Sequence, residues 1–288
     1  MKLSGRRESN NVEDRRRAGV SGGVSAIGIG GLVVAALLTW VMGGNPLDVL
    51  QNVDMNQISV TQQSNTGEFT PEEEELAKFS RQILAGTEDV WTEEFQKMGL
   101  TYTPPRMVLY TGSVQTGCGN GQAAMGPFYC SADQCLYIDL SFFTQMKSQL
   151  GADGDFAYAY VIGHEVGHHV EYLLGTLDKA HQQMNRLSQA EANKVSVRLE
   201  LLADFYAGVW AYHDNKKFGS LEDGDLEEAI NCAHQIGDNY LQEKARGKAV
   251  PESFTHGTSA QRMRWLKLGL TTGDMSKGNT FSIPYEQL

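Results

Sequence analysis

The chain is short of the residues that would place it in several large classes. Lysine and arginine number 24 against 35 aspartates and glutamates, leaving a net charge of −11. That balance offers no footprint for a phosphate backbone, so nucleic acid is not an expected partner. Only four cysteines are present. Cys130 and Cys135 are loosely spaced and no second close pair accompanies them, which leaves a cysteine-built structural zinc site weakly supported. Histidines are few, seven in all. Finally, Val20 to Met42 carries no charge whatever, and about 23 such residues cross a bilayer as a helix with some tilt.

What is there sorts into segments. Residues 1 to 19 form a basic tail, with Lys2, Arg6, Arg7, Arg15, Arg16 and Arg17 against Glu8, Glu13 and Asp14. Residues 20 to 42 are expected to be an uncleaved transmembrane anchor. A signal peptide would have a shorter apolar region and a small-residue processing site, which WVMGGNP does not clearly offer. Basic residues before the span put the N-terminus in the cytoplasm and everything beyond Gly43 outside, where the remaining net charge is about −14. Gly22, Ala26 and Gly30 would permit close pairing of such helices, so an oligomer through the membrane is open. Residues 43 to 70 read as a polar spacer, and 71 to 288 as one domain.

Within that domain TPEEEELAKF starts a helix capped by Thr70, and a second helix is expected around Val90 to Lys97. RMVLYTG, GPFYC and QCLYIDL read as strands of a small antiparallel sheet, with Ser141 capping the next helix. The fold class is α+β, mainly helical. A strand edge beside the active helix could hold an extended peptide by strand addition. The even cysteine count outside the membrane suggests disulfides, Cys118 with Cys130 being the favoured pair.

HEVGHHV, from His164 to Val170, matches H-E-x-x-H, in which two histidines one helical turn apart chelate zinc and the glutamate between them handles protons. If Phe156 to Leu174 is helical, then Ala159, Ile162, Val166, Val170 and Leu173 face a core. His164 and His168 then project from the other side with Glu165 beside them. His169 points elsewhere and reads as structural. The plain alternative is an amphipathic helix with solvated His and Glu.

The third ligand has two candidates. The metzincin pattern needs Gly at 171 and His at 174, where this chain has Glu171 and Leu174, so that class is excluded. GTLD makes Asp178 a weak candidate. RLELLADFYAGVW is better: a helix from about Gln189 to Tyr212 buries Val195, Leu199, Leu202, Tyr206 and Val209. Glu200 and Asp204 lie on its other side among Ser196, Ala203, Ala207 and Ala211, small enough for close approach to the active helix. Glu200 then completes a His₂Glu set and Asp204 fixes the tautomer of a ligand histidine. A solvent-exposed acidic pair is the alternative.

Leu226 to Glu243 reads as one helix, and His256 falls in a turn before a helix capped by Thr258 or Ser259. From there it could donate to a developing oxyanion, or merely tie down the turn. Arg262 and Arg264 read as salt-bridge formers, and His181, His213 and His234 as surface or packing residues.

GRRESNNVEDRR, GPFYCSADQCLYIDLSFF, HEVGHHVEYLLG, RLELLADFYAGVW and SFTHGTSAQRMRWLKLGLTTGD together resemble the bacterial neutral zinc metallopeptidases, single-pass membrane proteins. The likeness runs from Gly5 to Asp274. It implies a zincin-like fold with zinc on His164, His168 and Glu200, Glu165 catalytic, a peptide or protein substrate, and an inner-membrane location with the catalytic domain periplasmic or extracellular. Phe205, Cys135 and Cys232 depart from the family pattern, and a Cys135–Cys232 pair is a guess that follows from the departure. Two rivals stand beside the peptidase reading: an inactive membrane-tethered zinc-binding scaffold, and a zinc hydrolase of a non-peptide amide in the envelope.

Overall fold

The computed structural model describes residues 1–17 and 69–288. A short strand, β1 (Val12–Asp14), is followed by a 27-residue helix, α1 (Pro71–Lys97). A capping box sets its start, Glu73 N–H donating to Thr70 Oγ1 at 3.2 Å and Thr70 N–H to Glu73 Oε2 at 2.7 Å. Where the sequence suggests two helices there is one. Ser80, Leu84, Thr87, Trp91 and Phe95 are all buried at three- and four-residue spacing, so the inward face never lapses.

Five more strands follow: β2 (Arg106–Tyr110), β3 (Ser113–Thr116), β4 (Gly119–Gln122), β5 (Phe128–Cys130) and β6 (Cys135–Asp139). The main sheet has the order β1-β2-β6-β5, and β3–β4 is a separate hairpin. The expected antiparallel sheet is in fact mixed: β1 and β6 both run parallel to β2, and β5 alone is antiparallel to its neighbour β6. Residues 107–110 and 135–139 are buried on both faces, the pattern of covered, parallel-paired strands rather than of a half-solvated meander. At the start of α2 (Ser141–Gln145) it is Asp139, not Ser141, that caps, accepting from Ser141 N–H at 3.0 Å.

The helical layer comprises α3 (Asp155–Leu173), α4 (Thr176–Met184), α5 (Gln189–Phe218), α6 (Asp225–Gln235), α7 (Asp238–Arg246) and α8 (Ser259–Thr272). At its centre α3 lies against α5, and α8 packs on α5 and α6. Ala159, Ile162, Val166 and Val170 of α3 and Val195, Leu199, Leu202, Tyr206 and Val209 of α5 are buried, as their spacing requires. The two helices meet where side chains are smallest: a Cβ on Gly167 would come within 2.8 Å of the Ala203 carbonyl oxygen. The single helix expected over 226–243 is broken at Gly237, where a Cβ would lie 2.3 Å from the Ser259 amide nitrogen. That crossing ends α6 and starts α7 under the loop that carries His256.

Residues 1–17 pack against the domain instead of forming a separate tail. Met107 N–H donates to Asn11 O and Arg15 N–H to Leu109 O, each at 2.8 Å. Arg6 pairs with buried Asp214 at 2.7 Å, Ser9 Oγ donates to buried Glu88 at 2.5 Å, and Arg16 pairs with Glu74 at 2.9 Å. The basic residues of the expected cytoplasmic tail are thus partly used on carboxylates of α1 and α5. The expected span 20–42, its Gly22, Ala26 and Gly30, and the spacer to residue 68 lie outside the described residues. Among the described residues no helix is long and apolar enough to cross a membrane.

Cys118 and Cys130 are disulfide-bonded, tying the β3–β4 turn to the end of β5. Cys135 and Cys232 are buried thiols, which overturns both the guessed Cys135–Cys232 pair and a zinc site on Cys130 and Cys135. Cys135 sits in β6 and Cys232 in α6, where each packs as a small apolar residue.

Candidate metal centre

His164 and His168 leave the same face of α3, and Glu200 reaches them from α5. One ligand atom from each lies within 4.8 Å of the others. His164 Nε2 is 3.2 Å from Glu200 Oε2, and His168 Nε2 is 3.5 Å from Glu200 Oε1. Around a tetrahedral zinc with bonds about 2.0–2.1 Å long, neighbouring ligand atoms are about 3.3 Å apart. The two distances bracket that value, so this donor set fits one zinc ion with a coordination position left for water or substrate. Asp178 is exposed on α4 and outside the group.

Each histidine is held through its other nitrogen. His164 Nδ1–H donates to Asp204 Oδ1 at 2.8 Å, and His168 Nδ1–H donates to Glu171 Oε2 at 2.8 Å. A carboxylate only accepts, so each Nδ1 carries a proton, which leaves Nε2 as the atom of each ring that faces the metal position and would bind the ion on losing its own proton. Asp204 lies where its spacing suggested, against the second ring nitrogen of His164. Glu171 was legible only as a metzincin mismatch; its i+3 spacing from His168 on a helix was the available signal.

Asp204 is completely buried and serves three partners. Tyr160 Oη donates to its Oδ1 at 2.6 Å, and Arg262 donates from Nε to Oδ2 and from Nη2 to Oδ1, both at 2.9 Å. Burial opposes the charge on Asp204, but Arg262 and His164 outweigh it and hold the carboxyl down at about 2. Arg262 therefore makes the salt bridge its sequence suggested, at the base of the metal centre, and Tyr160 joins it. Glu171 has no such counterion. Burial lifts it to about 7 against the pull of His168, and its Oε1 has no hydrogen-bond partner among the described residues.

The electrostatics of the ligands match a site built for a cation. Burial raises the cost of charge on Glu200, yet His256, His164 and His168 keep it well below the usual carboxylate range. Burial also disfavours imidazolium at His164, but Asp204 and Glu200 lift its pKa to about 9. Glu165, beside them on α3, is only 8% exposed and makes no hydrogen bond or ion pair among the described residues. Burial raises its pKa, with His164 and His168 pulling the other way.

His256 lines the same cleft. Its Nδ1 lies 3.1 Å from Asp238 Oδ1, while the backbone N–H groups of Thr255, His256 and Gly257 donate to Asp238 Oδ2 at 2.8, 2.7 and 3.0 Å. Asp238, at the first position of α7 and fully buried, thus builds the turn and orients the ring together. Sequence reasoning missed it because it placed residue 238 inside a helix. His169, read as structural, is so: Nε2–H donates to the Thr103 carbonyl at 2.7 Å, and Nδ1 accepts from Tyr129 Oη at 2.9 Å. It clamps β5 to α3. His181, read as a surface or packing residue, is exposed and also lines the cleft.

The cleft encloses about 420 Å³. Gly126, Pro127, Phe128, Tyr129 and Ser131 bring β5 and its flanks to one wall. Among the described residues β5 pairs with β6 on one side only, which puts it at the sheet edge where the strand addition considered above would take place.

A protein of Escherichia coli (strain K12) designated uncharacterized protein YpfJ is 51% identical over 288 residues, covering 98% of this chain and 99% of that protein. Uncharacterized protein Mb2605 of Mycobacterium bovis and Rv2575 of Mycobacterium tuberculosis are each 42% identical over 191 residues, covering 63% of this chain and 64% of theirs. No solved structure matches. Residues 1–281 match the family described as "Putative neutral zinc metallopeptidase", and the chain belongs to that family.

Proposed function

We propose that the protein is a zinc-dependent peptidase that hydrolyses peptide bonds, with Glu165 as general base. One observation carries this reading: Glu165 is a buried carboxylate with no partner among the described residues, beside a convergent ligand set. A purely structural zinc site is closed and has no use for such a group, and an unpaired buried carboxylate is costly to keep. Bound to His164, His168 and Glu200, zinc would supply a Lewis acid that polarises a carbonyl and lowers the pKa of water to about 7.

The protein's own groups do the rest. Glu165, its proton affinity raised by burial, accepts a proton from the attacking water and returns it to the leaving amine. His256, oriented by Asp238, stands as donor to the oxyanion. β5 aligns the substrate backbone along the cleft.

The test is zinc content and peptide cleavage measured on the same purified protein, with Glu165→Gln and Glu200→Ala alongside. The expected result is one zinc in wild type and in Glu165→Gln, loss of zinc in Glu200→Ala, and cleavage by wild type alone, Glu165→Gln falling by about 10²–10⁴-fold. Cleavage retained by Glu165→Gln would refute the role of the base. Stoichiometric zinc without cleavage of any peptide would favour the scaffold or the non-peptide hydrolase.

A further inference from the structure

The chemistry of the cleft wall carries the peptidase reading further. Its charged side chains are Glu165, Glu200 and Arg262, together with histidines 164, 168, 181 and 256. Glu200 faces the metal position, Glu165 is the base, and Arg262 is 3% exposed and bound twice to Asp204. Among the described residues no further carboxylate, lysine or arginine lines the cleft to read a substrate's terminal ammonium or carboxylate. Most of the remaining lining is apolar: Phe142, Leu150, Val161 and Leu241 in one group, Leu177 and Leu199 in another. Val161 lies one helical turn before His164, so an apolar surface begins beside the reacting position itself.

We infer, resting on the peptidase reading, that the enzyme is an endopeptidase that cleaves within extended apolar segments and needs neither substrate terminus. An apolar side chain gains by leaving water for this wall, whereas a charged one would be buried there without a partner. The test uses fluorogenic peptides acetylated and amidated at their ends, with Leu, Phe, Gly or Asp flanking the cleavable bond. Cleavage by wild type is measured in parallel with equilibrium binding to zinc-loaded Glu165→Gln protein. Blocked Leu and Phe peptides are expected to be cleaved as well as unblocked ones and to exceed Asp peptides by about 10- to 100-fold in both assays. Cleavage that demands a free terminus, or equal handling of Leu and Asp, would overturn the inference. Selective binding of apolar peptides with no cleavage by wild type would uphold the apolar site while overturning the peptidase reading.

A second inference stands on a different observation. The first 17 residues are built into the domain through β1, Arg6–Asp214 and Ser9–Glu88, and the Arg17 guanidinium lies 5.0 Å from the Phe69 ring centroid. The chain thus leaves and re-enters the described structure at one place. A single membrane crossing by residues 20–42 would put β1 and β2 on opposite sides of the bilayer. Residues 43–68, with Asp48, Asp54, Glu68 and many Gln, Asn and Ser, lack the composition of a second span.

We propose that residues 1–17 and 69–288 occupy the same side of the membrane, in place of the single-pass topology that charge alone suggests. Ser4 and Glu286 are exposed, and Ser4→Cys and Glu286→Cys in the full chain can be labelled with a membrane-impermeant maleimide in intact and in lysed cells. The native thiols are buried or bonded. Both positions labelled, or both protected until lysis, is the expected result; one labelled and the other protected would overturn the proposal.

Discussion

The two carboxylates that hold the ligand histidines should fail in different ways when neutralised, because only one of them faces a permanent counterion. Asp204 is fully buried and carries Arg262 on two hydrogen bonds. Asp204→Asn leaves that guanidinium buried and uncompensated, a defect of about 3–5 kcal/mol against a typical domain stability of about 5–15 kcal/mol. Glu171 is equally buried, but its partner is His168, and burial already places its own pKa at about 7. Burial thus offsets much of what its charge gains from His168, so a neutral isostere removes less there than at Asp204. Glu171→Gln should unfold within about 1 kcal/mol of wild type when metal-free, whereas Asp204→Asn should lose most of its margin. Both lose the carboxylate that orients a ligand ring, so both should bind zinc about 10–100-fold more weakly. Chelator competition gives the zinc affinities, and denaturant unfolding of the metal-free proteins gives the stabilities. Equal stability of the two variants, or wild-type zinc affinity in either, would refute the assignment.

The remaining predictions concern other parts of the machinery. The folded pKa of His164, about 9, lies above the ordinary 6.5, so its contribution to metal-free stability is fully present below about pH 6.5 and lost as pH rises through about 9. Calorimetry of the metal-free protein should show Tm falling across that window, and zinc titrations in buffers of different ionisation enthalpy should show proton release there; a flat Tm and no released proton would contradict the site's electrostatics. Asp238→Asn should leave zinc content intact and lower kcat by about 10²-fold through a misplaced His256, an unchanged kcat removing His256 from the chemistry. Replacing Cys118 and Cys130 together by Ser opens a loop of 12 residues' separation, which should cost about 3 kcal/mol of stability and raise KM as the end of β5 loosens. Unaltered unfolding and KM would show that the bond supports neither.

Much of the site was legible because its chemistry is local or periodic. His164, Glu165 and His168 lie within one and a half turns of one helix, and Glu200 and Asp204 are one turn apart on another. Helical geometry alone places each group on one face. The small residues beside Glu200 indicated the close approach that Gly167 and Ala203 realise. Glu171 and Asp238 escaped because their function depends on a partner whose position the sequence does not state. Glu171 is an acidic residue on a helix until His168 turns toward it, and Asp238 looks mid-helical until Ser259 crosses Gly237 and makes it the start of a new helix.

The sequence by itself determined the candidate ligand set of His164, His168 and Glu200, the place of Glu165 beside it, the helices that carry them and the disulfide between Cys118 and Cys130, since each follows from residue type and short-range spacing. Tertiary structure decided which strands pair and in which direction, that Cys135 and Cys232 remain thiols, and that the first 17 residues join the domain they precede by more than 50 positions. The reason is physical. A strand's alternation states which face is buried but not which edge is met, and a basic side chain favours any carboxylate within reach, so only the packed fold chooses among partners distant in the chain.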